Sequence, residues 1–212
     1  MPLIFEKKIE DHTIIAVWQS IEPLSFFLDH LNLSESEIQT LSLMKDIRQK
    51  EWLTSRYLIH QISDSEVRIP VDKDYCGKPL LKDQHQHISI SHSRDHIAIA
   101  YSTHCIGIDI QHQEQKIVRI KNKFISDNEL MKIDDNHLID SYHIFWGAKE
   151  CMYKAYGKKE LDFKKHMHLF PFKYYQSKLE LKGWVDKDDI HQDYDIITDR
   201  LGDYYLVLGI LQ

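Results

Sequence analysis

Phe145-Trp-Gly-Ala-Lys-Glu-Cys-Met-Tyr-Lys154, followed by Ala155-Tyr156-Gly157, concentrates aromatic, acidic and basic residues at helical spacing. Trp146, Glu150 and Lys154 recur every four residues, and Lys149 and Tyr153 form a neighbouring pair, so charge and aromatic rings alternate around a narrow surface. Gly157 supplies the C-cap. The stretch predicts one helix, over about 140–156, with a chemical face. The same spacing also suits a solvated Glu150–Lys154 ion pair, worth about a few tenths of a kcal/mol, so the helix alone leaves both readings open.

Working back from this helix, Ile106-Gly-Ile-Asp-Ile110 reads as a short strand with one carboxylate, Asp109, among β-branched residues. A charge in such an apolar run is costly unless it is paired or binds a metal; a strand-end aspartate can equally cap a helix or pair with an arginine. Between strand and helix, Lys116, Arg119, Lys121 and Lys123 interleave with Ile117, Val118 and Ile120, and Ser126-Asp-Asn-Glu129 forms a capping box that starts a short helix. A second half of the chain begins near 103–105.

In the first half, Thr13-Ile-Ile-Ala-Val-Trp18 reads as a buried strand, broken at Glu22-Pro23. Ser34 and Glu37 form a capping box, and a helix is predicted over about 46–62. Arg48, Trp52 and Arg56 recur every four residues in it, so two guanidinium groups can project beside an indole and clamp a phosphate or stack on a base, or form a solvated face. Residues 71–83 read as a loop containing Gly77-Lys-Pro79. Strands His87-Ile-Ser-Ile-Ser91 and His96-Ile-Ala-Ile-Ala-Tyr101 follow, and their link places Ser91 and His92 at a strand end. Beyond Gly157, Leu161-Asp-Phe163, Met167–Phe170, Lys178–Trp184 and Asp203–Leu211 read as strands, the last three antiparallel.

Composition narrows the function classes. At 212 residues the chain can bury roughly 70% of its unfolded surface, enough for one core or two small lobes. Three widely spaced cysteines without a CxxC pair argue against a disulfide framework or a zinc site and favour a reducing cytoplasm. No run approaches 18 apolar residues, and charges interrupt 1–18, so neither a membrane span nor a signal peptide is expected. A net charge of −6 disfavours a general nucleic-acid binder and requires any anionic partner to meet a local basic patch. His85-Gln-His87 lacks the third and fourth partners of a metal site.

In order, Gly77-Lys-Pro79, Ile88-Ser-Ile-Ser-His-Ser93, Ile106-Gly-Ile-Asp-Ile110 and Trp146-Gly-Ala-Lys-Glu-Cys-Met-Tyr-Lys154 resemble the 4′-phosphopantetheinyl transferase superfamily, specifically its larger Sfp-type members. Each motif is weak alone; four in the right order, with 41 residues from Asp109 to Glu150, are specific. The resemblance implies an α+β pseudo-dimer of two similar lobes, 1–104 and 105–212, with coenzyme A between them and the metal site at the lobe interface. It implies a cytoplasmic monomer that transfers the phosphopantetheine arm of coenzyme A to a serine of an acyl, peptidyl or aryl carrier protein, releasing 3′,5′-ADP, with magnesium, or manganese, as the ion.

Carried over by position, Asp109 and Glu150 resemble the metal carboxylates, Glu150 also the general base, and Lys149 and Lys154 the phosphate-facing lysines. Lys154 would stabilise the leaving phosphate. Ser91 and His92 resemble the contacts to the 3′-phosphate and adenosine end, Gly77, Lys78 and Pro79 lie near the nucleotide, and Arg48 and Arg56 correspond to a basic helix of the first lobe. One position departs from the pattern: Gln111 stands where a second acid is common, and a neutral amide can still offer a carbonyl oxygen or hold a coordinated water. A non-catalytic module that binds coenzyme A or a carrier is the competing class, suggested only by Gln111. The strip Lys116, Arg119, Lys121, Lys123 and Phe124 is a candidate dock for an acidic carrier protein, or else a solvated loop.

Overall fold

The computed structural model describes residues 2–10, 12–63, 65–82, 85–133, 135–174 and 178–212. The chain divides into two compact units, Met1–Thr103 and His104–Gln212, and its architecture is α+β with two antiparallel sheets.

The first unit runs β1 (Leu3–Ile9), β2 (Thr13–Gln19), α1 (Leu24–His30), α2 (Glu35–Ser42), α3 (Asp46–Ile62), β3 (Val71–Lys73), β4 (Pro79–Leu81), β5 (His87–Ser93) and β6 (His96–Ser102), with sheet order β1-β2-β6-β5-β4-β3. The apolar run of β2 is buried almost throughout because the strand is central, between β1 and β6. α3 packs on β2 and β6, closing a core of Ala16, Trp18, Leu58, Ile59, Ile88, Ile97 and Ile99. The Ser34–Glu37 capping box forms as read. The stretch read as a loop over 71–83 instead holds the short β3–β4 hairpin, where Asp74 accepts hydrogen bonds from the backbone of Gly77 and Lys78; Asp83 lies outside the described residues.

The second unit runs β7 (Ile106–His112), α4 (Lys116–Ile120), α5 (Asp127–Leu130), α6 (Leu138–Tyr156), β8 (Met167–Leu169), β9 (Leu179–Lys187), β10 (Ile190–Leu201) and β11 (Tyr204–Leu211), with sheet order β7-β11-β10-β9-β8. Ser141, Phe145, Ala148, Met152 and Ala155, spaced three and four apart, form the buried stripe of α6, and Gly157, in the left-handed conformation, ends it. α6 lies across β7 and β11 at very short range: a Cβ on Gly107 would sit 1.9 Å from the Cys151 carbonyl oxygen. That approach holds the strand bearing Asp109 against the helix bearing Glu150 and Lys154. Residues 161–163, read as a strand, form none.

Candidate active site

In the second unit β7 and α6 bring three of the expected residues together. Asp109, paired with Val207 of β11 and only 7% exposed, accepts a hydrogen bond from Lys154 Nζ at 2.9 Å; the same Nζ donates to the Ile108 carbonyl at 2.8 Å. Glu150 lies one turn before Lys154. Burial pushes the Glu150 carboxyl above its ordinary pKa, and the negative charge of Asp109 pushes it further. For Lys154, burial alone would lower the pKa, but Asp109, Cys151 and Glu150 outweigh it and the net shift is upward, so it is a cation at neutral pH.

Among the described residues no group of three or more His, Cys, Asp or Glu is arranged to hold a metal ion. Asp109 and Glu150 are two carboxylates whose like charges oppose each other, which adds to burial in raising the Glu150 pKa. Such a pair fits magnesium, which takes one or two carboxylates and completes its shell with water and phosphate oxygens.

Gln111 is fixed at both ends of its amide. Its carbonyl oxygen accepts from His143 Nδ1 at 2.7 Å, while its Nε2 donates to the His143 carbonyl at 2.9 Å and approaches Asp109 Oδ2 at 3.4 Å. His143, missed by sequence reasoning, is buried, stacks on Tyr205 at 4.6 Å, and accepts from the Glu114 amide through Nε2. Burial, with the charge of Arg200 adding to it, pulls its pKa down to about 4, which keeps it neutral and its tautomer defined by these two bonds.

Two expected residues are placed elsewhere. Lys149, expected to face a phosphate, is 0% exposed, and its three N–H groups donate to Phe124 O (2.7 Å), Glu129 Oε2 (2.8 Å) and Phe163 O (2.9 Å). It ties α6 to the Ser126–Glu129 capping box. Phe124, expected in a docking strip, is also fully buried, its ring edge-on to Trp146, because it belongs to the second unit's hydrophobic core. Lys116, Arg119 and Lys123 are exposed, and Lys121 donates to the Tyr142 hydroxyl.

In the first unit a cavity of about 180 Å³ gathers Arg48, Glu51, Trp52, Ser55 and Arg56 from α3, Lys73, Gly77 and Pro79 from the β3–β4 hairpin, and Ile90 and His92 from β5. Lys73, rather than the expected Lys78, supplies the hairpin's lining lysine. Ser91 lies on the opposite face of β5 from Ile90 and His92 and does not line the cavity. Arg56 is 7% exposed, stacks over the Trp52 ring at 4.3 Å, donates to Ser55 Oγ at 3.0 Å, and has no hydrogen-bond partner for Nε. Burial pulls its pKa down to about 10; Glu37 opposes this, and Arg48 and Arg68 add to it. A buried guanidinium of this kind favours an anion, which offsets its desolvation. Glu51 and Ser55, each one residue before a motif position, were invisible as lining groups because only Arg48, Trp52 and Arg56 carried a pattern.

Residues 105–194 match the family model of the 4′-phosphopantetheinyl transferase superfamily. The chain is 32% identical over 111 residues to 4′-phosphopantetheinyl transferase gsp of Aneurinibacillus migulanus, covering 51% of this chain and 46% of that protein. It is 29% identical over 121 residues to 4′-phosphopantetheinyl transferase Sfp of Bacillus subtilis (strain 168), covering 55% and 52%, and 28% identical over 122 residues to the ffp transferase of Bacillus subtilis. The chain thus spans about half the length of the curated relatives it matches.

Proposed function

From the match of residues 105–194 to the family model of the 4′-phosphopantetheinyl transferase superfamily, we propose that this chain transfers the 4′-phosphopantetheine arm of coenzyme A to a serine of an apo carrier protein, with magnesium, releasing 3′,5′-ADP. The serine oxygen forms a new bond to the phosphorus bearing the pantetheine, the pyrophosphate bridge breaks, and the serine proton leaves to a base. The observation that carries the reading is the grouping of Asp109, Glu150 and Lys154 on β7 and one face of α6.

Glu150 is the proton acceptor in this reading. Burial and the neighbouring Asp109 raise its pKa, which makes it a stronger base than a solvated carboxylate. Lys154, held by Asp109 and the Ile108 carbonyl, is a fixed cation for the charge that collects on the leaving phosphate. Asp109 and Glu150 would hold magnesium, which when bound neutralises pyrophosphate charge. In the first unit, Arg48, Arg56 and His92 support binding of the nucleotide end, with Trp52 as an apolar wall. Lys116, Arg119 and Lys123 offer a cationic strip to an acidic carrier.

Incubation with coenzyme A, magnesium and a panel of apo carrier proteins, followed by mass spectrometry, tests the proposal: at least one carrier gains the arm. Binding of coenzyme A without modification of any carrier, with magnesium or manganese, would instead identify a non-catalytic binding module.

A further inference from the structure

The first unit's cavity contains an acid that the proposed ligand does not need. Glu51 lies one turn along α3 from Arg48, and its Oε2 accepts from Arg48 Nη1 at 2.8 Å. Its other oxygen, Oε1, meets His92 Nδ1 at 3.1 Å, and Arg48 Nη1 reaches His92 Nε2 at 3.1 Å. The three side chains form a closed triangle, and all three line the cavity. With Arg48 donating to Nε2, the other imidazole nitrogen carries the proton and donates to Glu51. Arg56, on the same helix, has no carboxylate partner among the described residues and an unpartnered Nε. The cavity therefore holds a cation committed to an internal acid beside one that is not.

We propose that Glu51 is an internal counter-anion of this cavity, competing with the ligand's 3′-phosphate for Arg48 and His92 and so limiting the preference for 3′-phosphorylated nucleotide over its 3′-dephospho form. The inference rests on the reading that the cavity takes the nucleotide end of coenzyme A. A phosphate monoester brings about two negative charges at neutral pH. Within hydrogen-bond reach of Arg48 or His92 it meets the Glu51 carboxylate already there, and like charges at such range in a partly desolvated site oppose binding. Glutamine at position 51 keeps the shape and one acceptor oxygen, gives up the other to an amide N–H2, and removes the charge, while serine removes both carboxylate oxygens. A ligand without the 3′-phosphate has no such conflict.

The test measures Kd by calorimetry, without metal, for 3′,5′-ADP and for adenosine 5′-monophosphate on the wild type, Glu51→Gln and Glu51→Ser. The expected result is that both variants bind 3′,5′-ADP about five- to tenfold more tightly, as expected for removing one screened like charge, while adenosine 5′-monophosphate binds as in the wild type. The ratio of the two affinities within each protein is insensitive to a general loss of folded molecules. Raising the salt concentration should shrink the difference. Unchanged or weaker binding of 3′,5′-ADP by both variants, with the wild type binding it, overturns the role of Glu51 alone and marks it as the residue that holds Arg48 and His92 in place. Failure of the wild type to bind coenzyme A or 3′,5′-ADP overturns the nucleotide assignment of the cavity, and this inference with it.

Discussion

Replacing Lys149 by methionine separates a structural lysine from a phosphate ligand. The Nζ of Lys149 is fully buried and spends its three donors on Phe124 O, Glu129 Oε2 and Phe163 O. Methionine fills most of the same volume but strands two backbone carbonyls, at about 1–3 kcal/mol each, and leaves the buried Glu129 carboxylate without its cation. Glu129 keeps the Ser126 amide and hydroxyl on Oε2 and the Leu169 amide on Oε1, so its loss is partial. The contributions overlap, and the total expected is about 3–5 kcal/mol, the usual cost of breaking a buried ion pair from one side. Urea unfolding followed by the fluorescence of Trp146 and Trp184 reads this as a midpoint lowered by about 2 M, at a slope of about 2 kcal/mol/M. Adding Glu129→Gln should return about 1 kcal/mol or more, because the remaining partner no longer carries a buried charge. The reasoning fails if Lys149→Met unfolds within about 0.5 kcal/mol of the wild type while its affinity for coenzyme A drops tenfold, since that pattern belongs to a lysine facing a phosphate.

Three further outcomes are expected. If the proposed transfer holds, Glu150→Gln should lower its rate by about 10²–10⁴ with coenzyme A binding retained in direct calorimetry; the wild-type rate should also fall on the acid side at a pH above the ordinary carboxyl value, because the Glu150 pKa is raised and a protonated carboxyl would not accept the serine proton. Gly107→Ala places a Cβ 1.9 Å from the Cys151 carbonyl oxygen, a backbone atom that no rotamer change can move, so urea titration should show a loss of about 3 kcal/mol or more. His143 titrates at about 4 in the folded chain against an ordinary 6.5, so the unfolded state takes up the proton first; stability is complete above pH 6.5 and declines by about 3 kcal/mol as pH falls from 6.5 to 4. Urea midpoints across that window should show the decline, and it should flatten in His143→Asn.

The elements legible in the sequence were those whose pattern is local. α3, α6, both capping boxes and the apolar strands β2, β5, β6 and β7 follow from period, cap or β-branched content. The twelve-residue β10 was missed because Ile190-His-Gln-Asp-Tyr-Asp-Ile-Ile-Thr-Asp-Arg-Leu201 carries polar side chains along one face, and only Tyr194, Ile196 and Thr198 are buried. Its strand character comes from pairing with β9 and β11 on both sides, a non-local fact. Residues 71–73 and 79–81 pair over only three positions each, too short for any alternation to register. Lys149 shows the same limit within a helix. It neighbours Glu150 in sequence but lies about 100° away around the axis, four residues after the buried Phe145 and three before the buried Met152. Glu129, its partner, was legible only as a cap. The sequence reading set Lys149 beside Tyr153 on the chemical face of the helix and the family resemblance placed it on the phosphate side, whereas the fold puts it on the buried face with Phe145 and Met152.

Gln111 illustrates what a sequence departure means once its neighbours are known. Read along the chain, an amide in place of an acid is one negative charge fewer beside Asp109. In the fold, the position demands a group that both donates and accepts: the His143 carbonyl needs a donor and His143 Nδ1–H needs an acceptor. A carboxylate could satisfy the second and not the first, and would set a second buried negative charge against Asp109, where the amide presents an N–H at 3.4 Å. The stack of His143 on Tyr205, with the Arg200 guanidinium 3.9 Å from the Tyr205 ring, lies next to this amide. Burial first, and the Arg200 charge after it, lower the His143 pKa and favour a neutral imidazole, and a neutral imidazole with Nδ1 protonated is the tautomer that a glutamine carbonyl can receive. Gln111, His143, Tyr205 and Arg200 thus form one consistent polar network behind Asp109, in which the amide serves the acid by orientation while Asp109 and Glu150 carry the charge.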